Sequence, residues 1–318
     1  MVDINRPVPP RFGNDQGLEP EITDADFHDE HPARLAVGVV GAGRAGTALG
    51  VALARAGHRV VAVSAVSEPS LRRARDSFPD AVIAQPAEVV AATDLVLLTV
   101  PDDTLPGLVS GLVATEAPVA GRMLAHASGR YGLDVLEPAT RVGALPLALH
   151  PVMTFTGRAE DVDRLKGLYF GVTAPEPLRT AAEALVIEMG GEPVYIAEQD
   201  RARYHAALAF AANNLITLVT AASDQLAGIG VPAPARMLGP LLGAALDNAL
   251  RFGDAGLTGP VARGDAGTVA AHLAALDPEL RIAYVALARL TAIRALAAGL
   301  LDPADAERLL DVLGGGSP

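Results

Sequence analysis

The chain has no cysteine and no tryptophan among its 318 residues, and Lys166 is its one lysine. Without cysteine it can form no disulfide, thiolate nucleophile, thiolate zinc site or iron–sulfur cluster. That suits a reducing, cytoplasmic setting, and no metal is expected. Lys166 is followed by Gly167 rather than Ser or Thr, so a Gly-Lys-Ser/Thr phosphate loop is excluded. Aromatic residues are 4% of the chain, which leaves Ala, Leu and Val to build the core. With 25 basic against 37 acidic residues the net charge is −12. That charge repels phosphate backbones and argues against a nucleic-acid partner.

Long apolar runs are interrupted as well. Asn213 and Asn214 break one, and Arg289 and Arg294 break another. A membrane helix needs about 20 mostly apolar residues. The first 20 residues lack the apolar stretch of a signal peptide. The expectation is a soluble chain with no membrane partner.

What is present reads as two domains, at roughly 150 residues each. Residues 1–34 hold five prolines and eight acids against three arginines, the composition of a flexible N-terminal extension. Residues 35–165 alternate short β-branched runs with helical spacing. Strands are expected at 35–40, 59–63, 81–83, 93–100, 123–127 and 144–150, and helices at 47–56 and 69–77. Such alternation implies a parallel sheet covered on both faces. Residues 166–300 turn mainly helical. Strands are expected at 169–173 and 194–196 around a helix at 178–189, then helices at 199–228, 233–252, 267–275 and 278–299. Residues 301–318 form a last helix and tail. The fold class is therefore α/β: a Rossmann-like doubly wound sheet followed by a mainly α-helical C-terminal domain.

The most specific motif is Gly41-Ala42-Gly43-Arg44-Ala45-Gly46. It follows a strand and opens a helix. Gly41 permits the turn, Gly43 lets backbone approach a pyrophosphate, and Gly46 lets helix pack on strand. The amides of this loop and the positive helix end are expected to face phosphates. An NAD site usually carries an acid about 20 residues further on. Here the second strand ends Val63-Ser64-Ala65-Val66-Ser67-Glu68. Ser64, Ser67 and the downstream Arg72 suit the 2′-phosphate of NADP better, with Glu68 as counter-evidence. At the fourth strand Val100 and Pro101 turn the chain past the sheet's carboxyl edge, where ligands of such folds bind. Asp102 and Asp103 either cap the next helix or face the ligand.

Hydride transfer to a carbonyl or imine also needs a proton donor and polar anchors. His126 with Ser128, and His150, follow strands and are candidates, because histidine titrates near neutrality. On the long helix stand Tyr204, His205, Asn213 and Asn214. Two adjacent amides in an apolar stretch are costly to bury unless paired.

These motifs resemble the 6-phosphogluconate dehydrogenase-like group, which includes β-hydroxyacid dehydrogenases, ketopantoate reductases and pyrroline-5-carboxylate reductases. The chain looks most similar to the two-part family with a Rossmann-like domain and a C-terminal domain of unknown function. The resemblance covers residues 35–300. It rests on His126-Ala127-Ser128-Gly129, His150-Pro151 with Thr154-Phe155, Tyr204-His205 with Asn213-Asn214, and the stretch from Leu257 through Thr258, Gly259 and Pro260 to Asp265. It implies NADPH-dependent reduction of a small 2-oxo acid, ketopantoate being the first to try, and a homodimer through the helical domain. By likeness to the pyrroline-5-carboxylate reductases it implies that Thr258, Gly259 and Arg263 hold the substrate carboxylate, and Asn214 on the long helix is also expected to bind substrate. The lysine that β-hydroxyacid dehydrogenases place one turn before an asparagine is Phe210 here. The proton must then come from a histidine, Tyr204, Ser128 or water. Arg263-Gly264-Asp265 reads as a helix-start turn with Asp265 as cap. The competing readings are a cyclic-imine reductase, a deazaflavin-linked hydride carrier, and a non-catalytic NADP sensor.

Overall fold

The computed structural model describes residues 34–314. The expectations for residues 1–33 and for the last four residues lie outside them. The described chain divides into two compact units, one ending at Tyr204 and the other beginning at His205. The expected boundary at 165/166 falls inside the first unit, because the strands after it continue the same sheet.

The first unit runs β1 (Ala36–Val40), α1 (Arg44–Arg55), β2 (Arg59–Ser64), α2 (Glu68–Ser77), β3 (Val82–Ile83), α3 (Pro86–Ala91), β4 (Leu95–Leu98) and α4 (Leu105–Ala114). It continues β5 (Met123–His126), α5 (Glu137–Thr140), β6 (Leu145–Pro151), α6 (Glu160–Asp163), β7 (Tyr169–Thr173), α7 (Arg179–Glu188) and β8 (Glu192–Tyr195). The sheet order is β3-β2-β1-β4-β5-β6-β7-β8. Pairing is parallel except between β6 and β7. The order reverses between β1 and β4, the switch point at which open α/β sheets leave a crevice.

Parallel strands are covered on both faces, so they carry continuous apolar runs rather than alternation. All four residues of β4, Leu-Val-Leu-Leu, are buried. Two cores result, one per face. One joins Val37, Val39, Leu49, Leu53 and Phe170. The other joins Val40, Val96, Leu98, Val109 and Leu136. Helix α1 begins at Arg44, three residues before the expected start, so it opens directly from the glycine loop. Helix α3 was not expected, and α4 was expected only as the helix following Asp103, without bounds. The first has 6 residues, too few to show a helical period. The second contains Gly107 and Gly111, which weaken helix propensity.

The second unit holds most of α8 (Arg201–Gly228) with α9 (Pro234–Phe252), α10 (Ala266–Ala275), α11 (Pro278–Ala297) and α12 (Pro303–Gly314). Its core joins Val261, Val269, Ala288, Ala292, Leu309 and Leu313. Much apolar surface stays open: Phe210 and Ile216 on α8 are 58% and 62% exposed. The expected lack of a membrane-length segment needs correcting. The stretch Glu198–Gly228 spans 31 residues, and its most apolar 18-residue window has a mean hydropathy of 1.5, enough by length and composition alone to cross a bilayer. Asn213 and Asn214 interrupt the run without lowering its average enough to exclude it.

Candidate active site

The carboxyl edge of the sheet gathers the expected motifs. Gly41 leaves β1 with φ +98°, a conformation that glycine adopts without strain. Its N–H and that of Ala42 donate to the Ser64 carbonyl at 2.9 and 3.2 Å. The Gly43 N–H donates to the Gly41 carbonyl at 2.7 Å. The loop's first three amides are therefore spent inside the crossover, so the amides open to a ligand begin at Arg44. The remaining donors are those of Arg44, Ala45 and Gly46, the first turn of α1, which have no carbonyl four residues back within the helix. Thr47 makes the first intrahelical bond, to Gly43.

The three glycines differ in kind. A side chain at Gly41 would lie 2.9 Å from the Thr99 carbonyl carbon. One at Gly46 would overlap the Thr99 hydroxyl and the Gly41 carbonyl. At Gly43 the nearest atom lies 3.9 Å away. Two glycines thus serve internal packing, and the third leaves open space at a helix N-terminus. That space is the observation that fits a dinucleotide's pyrophosphate here.

Around the loop the expected 2′-phosphate set changes. Ser64 contributes its backbone carbonyl, and its side chain is buried. The Ser67 hydroxyl caps α2, accepting from the Ser70 N–H at 3.3 Å and lying 2.9 Å from the Ser70 hydroxyl. It is committed locally rather than offered to a phosphate. Arg72 is exposed. Its neighbour Arg73 turns to the loop, with Nε donating to the Ala42 carbonyl at 3.4 Å. The signal for it was helical phase: Arg73 lies one turn from Ser70, on the buried side of α2. Arg44 and Arg73, with Arg55 and Arg158, line a pocket of about 410 Å³. Val100 and Pro101 form the turn after β4, Pro101 accepting from the N–H groups of Thr104 and Leu105. The cap position of α4 is Thr104, without a side-chain bond, so neither Asp102 nor Asp103 caps it.

Behind this pocket Asp161 holds the turn that follows β6. It is 1% exposed, and accepts from the Thr156 and Gly157 N–H groups at 2.8 and 2.7 Å and from the Thr156 hydroxyl at 2.9 Å. Burial pushes its pKa up. The bonds from Gly157 and Thr156 and the Arg164 charge outweigh that, so the carboxyl stays below its ordinary value. Asp161→Ala is expected to lower unfolding free energy at pH 7 by about 1–3 kcal/mol, the cost of stranded donors. A depressed carboxyl stabilises above its unfolded pKa of roughly 4 and loses that contribution as pH falls through its folded value. Urea titrations should therefore show the gap closing below about pH 4. A gap constant with pH would exclude the ionised carboxylate as its source.

At the end of β5, His126 does not meet the role expected of it. It is 1% exposed. Its Nε2–H donates to the Gly132 carbonyl at 2.7 Å, and its Nδ1 accepts from the Ser128 N–H at 3.2 Å. Desolvation drags its pKa to about 4, against the pull of the Gly132 bond. Near neutral pH it is held uncharged, and both ring nitrogens are engaged in bracing the following turn. The Ser128 hydroxyl accepts from the Arg130 and Tyr131 N–H groups, each at 3.2 Å. Glu198 pins the same loop, accepting from Leu133 and Asp134 N–H groups at 2.6 and 3.2 Å.

His150 differs. It stands near the end of β6, two residues beyond Ala148, which pairs with the last residue of β5. Its Nδ1 shares a 2.8 Å hydrogen bond with the Tyr204 hydroxyl. The rings meet edge to face, with centroids 5.5 Å apart. Both residues are half-buried. Tyr204, named above only among several proton sources, is thus the partner of the strand-end histidine. One turn earlier on α8 lies Arg201, buried and not anticipated from the sequence. Among the described residues no cluster of three or more His, Asp or Glu could hold a metal.

In the second unit His205 is half-buried, while Asn213 and Asn214 are exposed. The expected cost of burying two amides therefore does not arise in the single chain. The Thr258 carbonyl accepts from the Arg263 guanidinium, which commits Arg263 to its own loop. Asp265 caps α10, accepting from the Thr268 N–H at 3.0 Å. Gly259 lines an apolar pocket of about 510 Å³ with His272 and Tyr284.

Sheet order and glycine crossover define a Rossmann-type α/β protein. Residues 20–151 match the family model of the Rossmann-like domain, and residues 168–291 match that of a domain of unknown function, DUF2520. The chain thus carries a Rossmann-like domain followed by a DUF2520 domain. No curated protein matches it. Among solved structures it is similar to a Bacteroides fragilis protein described provisionally as an NADP oxidoreductase. That match has 22% identity and a TM-score of 0.69, covering 81% of this chain and 98% of the other. A Thermotoga maritima protein has 18% identity and a TM-score of 0.62, covering 83% and 99%. A reductive aminase from Aspergillus terreus, in complex with NADPH and ethyl levulinate, has 18% identity and a TM-score of 0.61, covering 87% and 99%. At these identities the likeness is one of fold.

Proposed function

We propose that the chain is an NADPH-dependent oxidoreductase that reduces a small 2-oxo acid such as ketopantoate. The observation that carries the reaction is the His150–Tyr204 hydrogen bond at the carboxyl edge of the sheet. When bound, the nicotinamide would supply hydride. The N–H groups of Arg44, Ala45 and Gly46 would hold its diphosphate beside the open face of Gly43. Tyr204 would deliver the proton to the developing alkoxide, and His150 would orient the phenol and replace its proton. Positioned proton transfer of this kind contributes typically 10²–10⁴-fold. Two neighbours support the cofactor, one described as an NADP oxidoreductase and one bound to NADPH.

The reductive aminase equally favours a second reading, reduction of an imine, for which the same phenol would serve. The exposed apolar face of α8 is proposed to be covered by a second copy of the chain. Two amides on that helix suit a protein partner better than lipid. A cytoplasmic location belongs to the same reading.

Fluorescence titration is expected to show NADPH binding at least tenfold more tightly than NADH, and Arg73→Ala to remove most of that difference. Equal affinities in the wild type would end the case for a 2′-phosphate site. NADPH oxidation should then be screened over ketopantoate, other 2-oxo acids and cyclic imines. Turnover of imines alone would move the assignment to the second reading. Tight binding without turnover would favour a sensor.

A further inference from the structure

We propose that Arg201 is the positioning residue of the proton donor. It holds the Tyr204 phenol against His150 and supplies the positive charge that makes that phenol a better acid. The inference rests on the reading of Tyr204 given above.

Arg201 is 1% exposed. Burying a guanidinium is costly unless a carboxylate accompanies it, yet its hydrogen-bond partners are neutral. Nε donates to the Thr173 hydroxyl at 2.7 Å, and Nη2 donates to the carbonyls of Ala148 and Gly171 at 3.0 and 3.1 Å. Nη1 is buried with no hydrogen-bond partner among the described residues. Burial lowers its pKa to about 10, so it is still charged at neutral pH. A cation kept at this cost, with one donor unused, calls for more than a strand clamp.

Its surroundings supply that role. Ala148 and Gly171 lie on β6 and β7, and Gly171 is the ladder partner of His150. The guanidinium therefore ties together the two strands that present the histidine. Tyr204 lies one turn along the same helix, its ring centroid 5.9 Å from the Arg201 guanidinium carbon. The absence of a side chain at Gly171 makes room for that ring, since a Cβ there would lie 2.7 Å from the phenol carbon Cζ. Helix register, glycine gap and clamp thus fix the phenol from three sides. Burial raises the phenol's pKa, while the Arg201 charge and the Gly171 backbone pull it back. At about 6 Å and an effective dielectric constant of about 20, a unit charge favours ionisation by roughly a hundredfold. Partial exposure of Tyr204 reduces this.

The other ionisable groups near the pair are His150 on β6, bonded to Tyr204, and His126 on β5, on which the charges of Arg201 and of Asp102 after β4 both act. Glu198 lies before α8 and bears on Arg201, and His205 follows Tyr204 in sequence.

The test places a fluorinated tyrosine, whose phenol ionises in an accessible range, at position 204 of the full chain and titrates it by ¹⁹F NMR. R201Q is expected to raise that pKa by at least one unit, a tenfold change in the ionisation equilibrium. R201K, which keeps the charge, should move it far less. An unchanged pKa in folded R201Q overturns the proposal. If R201Q does not fold, a double-mutant cycle on R201K and Y204F decides. R201K should lower kcat about tenfold with KM unchanged, and lower it no further once Tyr204 is Phe. The same loss in both backgrounds overturns the proposal, because it marks a structural role. The titration needs no substrate, so its failure is distinct from a failure to find turnover.

Discussion

Gly46→Ala is expected to destabilise the first unit by about 3 kcal/mol, the upper range for forced overpacking. The added methyl would meet two groups that cannot retreat. One is the Gly41 carbonyl, part of the turn itself. The other is the Thr99 hydroxyl, which donates to that carbonyl at 2.7 Å and to the Val40 carbonyl at 3.3 Å. Threonine is also stiff at χ1, so rotation offers little relief. In a thermal melt the change should appear as a fall of roughly 6 °C or more. Gly43→Ala separates stability from binding. Its new methyl would find its nearest neighbour 3.9 Å away, so melting should match the wild type. NADPH affinity should nonetheless fall at least a hundredfold, because the methyl fills the space proposed for the diphosphate. Wild-type binding in Gly43→Ala would falsify the placement of that diphosphate, whatever happens at Gly46.

That contrast also shows how far the sequence could be read. The crossover was legible because each of its glycines has a local reason, and because a short β-branched run and a helical period flank it. The amide count was not legible. Which N–H groups the loop spends on itself depends on the Ser64 carbonyl, which β2 brings alongside from 23 residues away. His126 and His150 look alike in sequence, each at the end of an apolar strand. The Gly132 carbonyl closes on His126, whereas His150 meets a tyrosine 54 residues later. Arg201 gave no warning, since its partners are carbonyls and a hydroxyl on strands 28 to 53 residues earlier. For Asn213 and Asn214 the inference failed differently. Apolar neighbours were taken to mean burial, but the apolar face of α8 is uncovered in the single chain.

Tyr204→Phe tests the chemistry most directly. The substitution removes one oxygen from a half-buried ring and leaves ring packing, Arg201 and the glycine crossover in place. NADPH affinity should therefore stay within about twofold of the wild type, while kcat falls by 10²–10⁴, the range for losing a positioned acid. The lost hydrogen bond to His150 costs little stability, about 1 kcal/mol, because the histidine is only half-buried and water can replace the phenol. His150→Asn should lower kcat less, since the phenol keeps its own proton and loses only its orientation and resupply. His126→Asn serves as the contrast. It should lower the melting temperature, because a buried brace is lost, while the folded fraction keeps its kcat. If Tyr204→Phe retained kcat within threefold while His126→Asn abolished it, the proton would come from the end of β5. The Tyr204–His150 pair would then be only a packing contact.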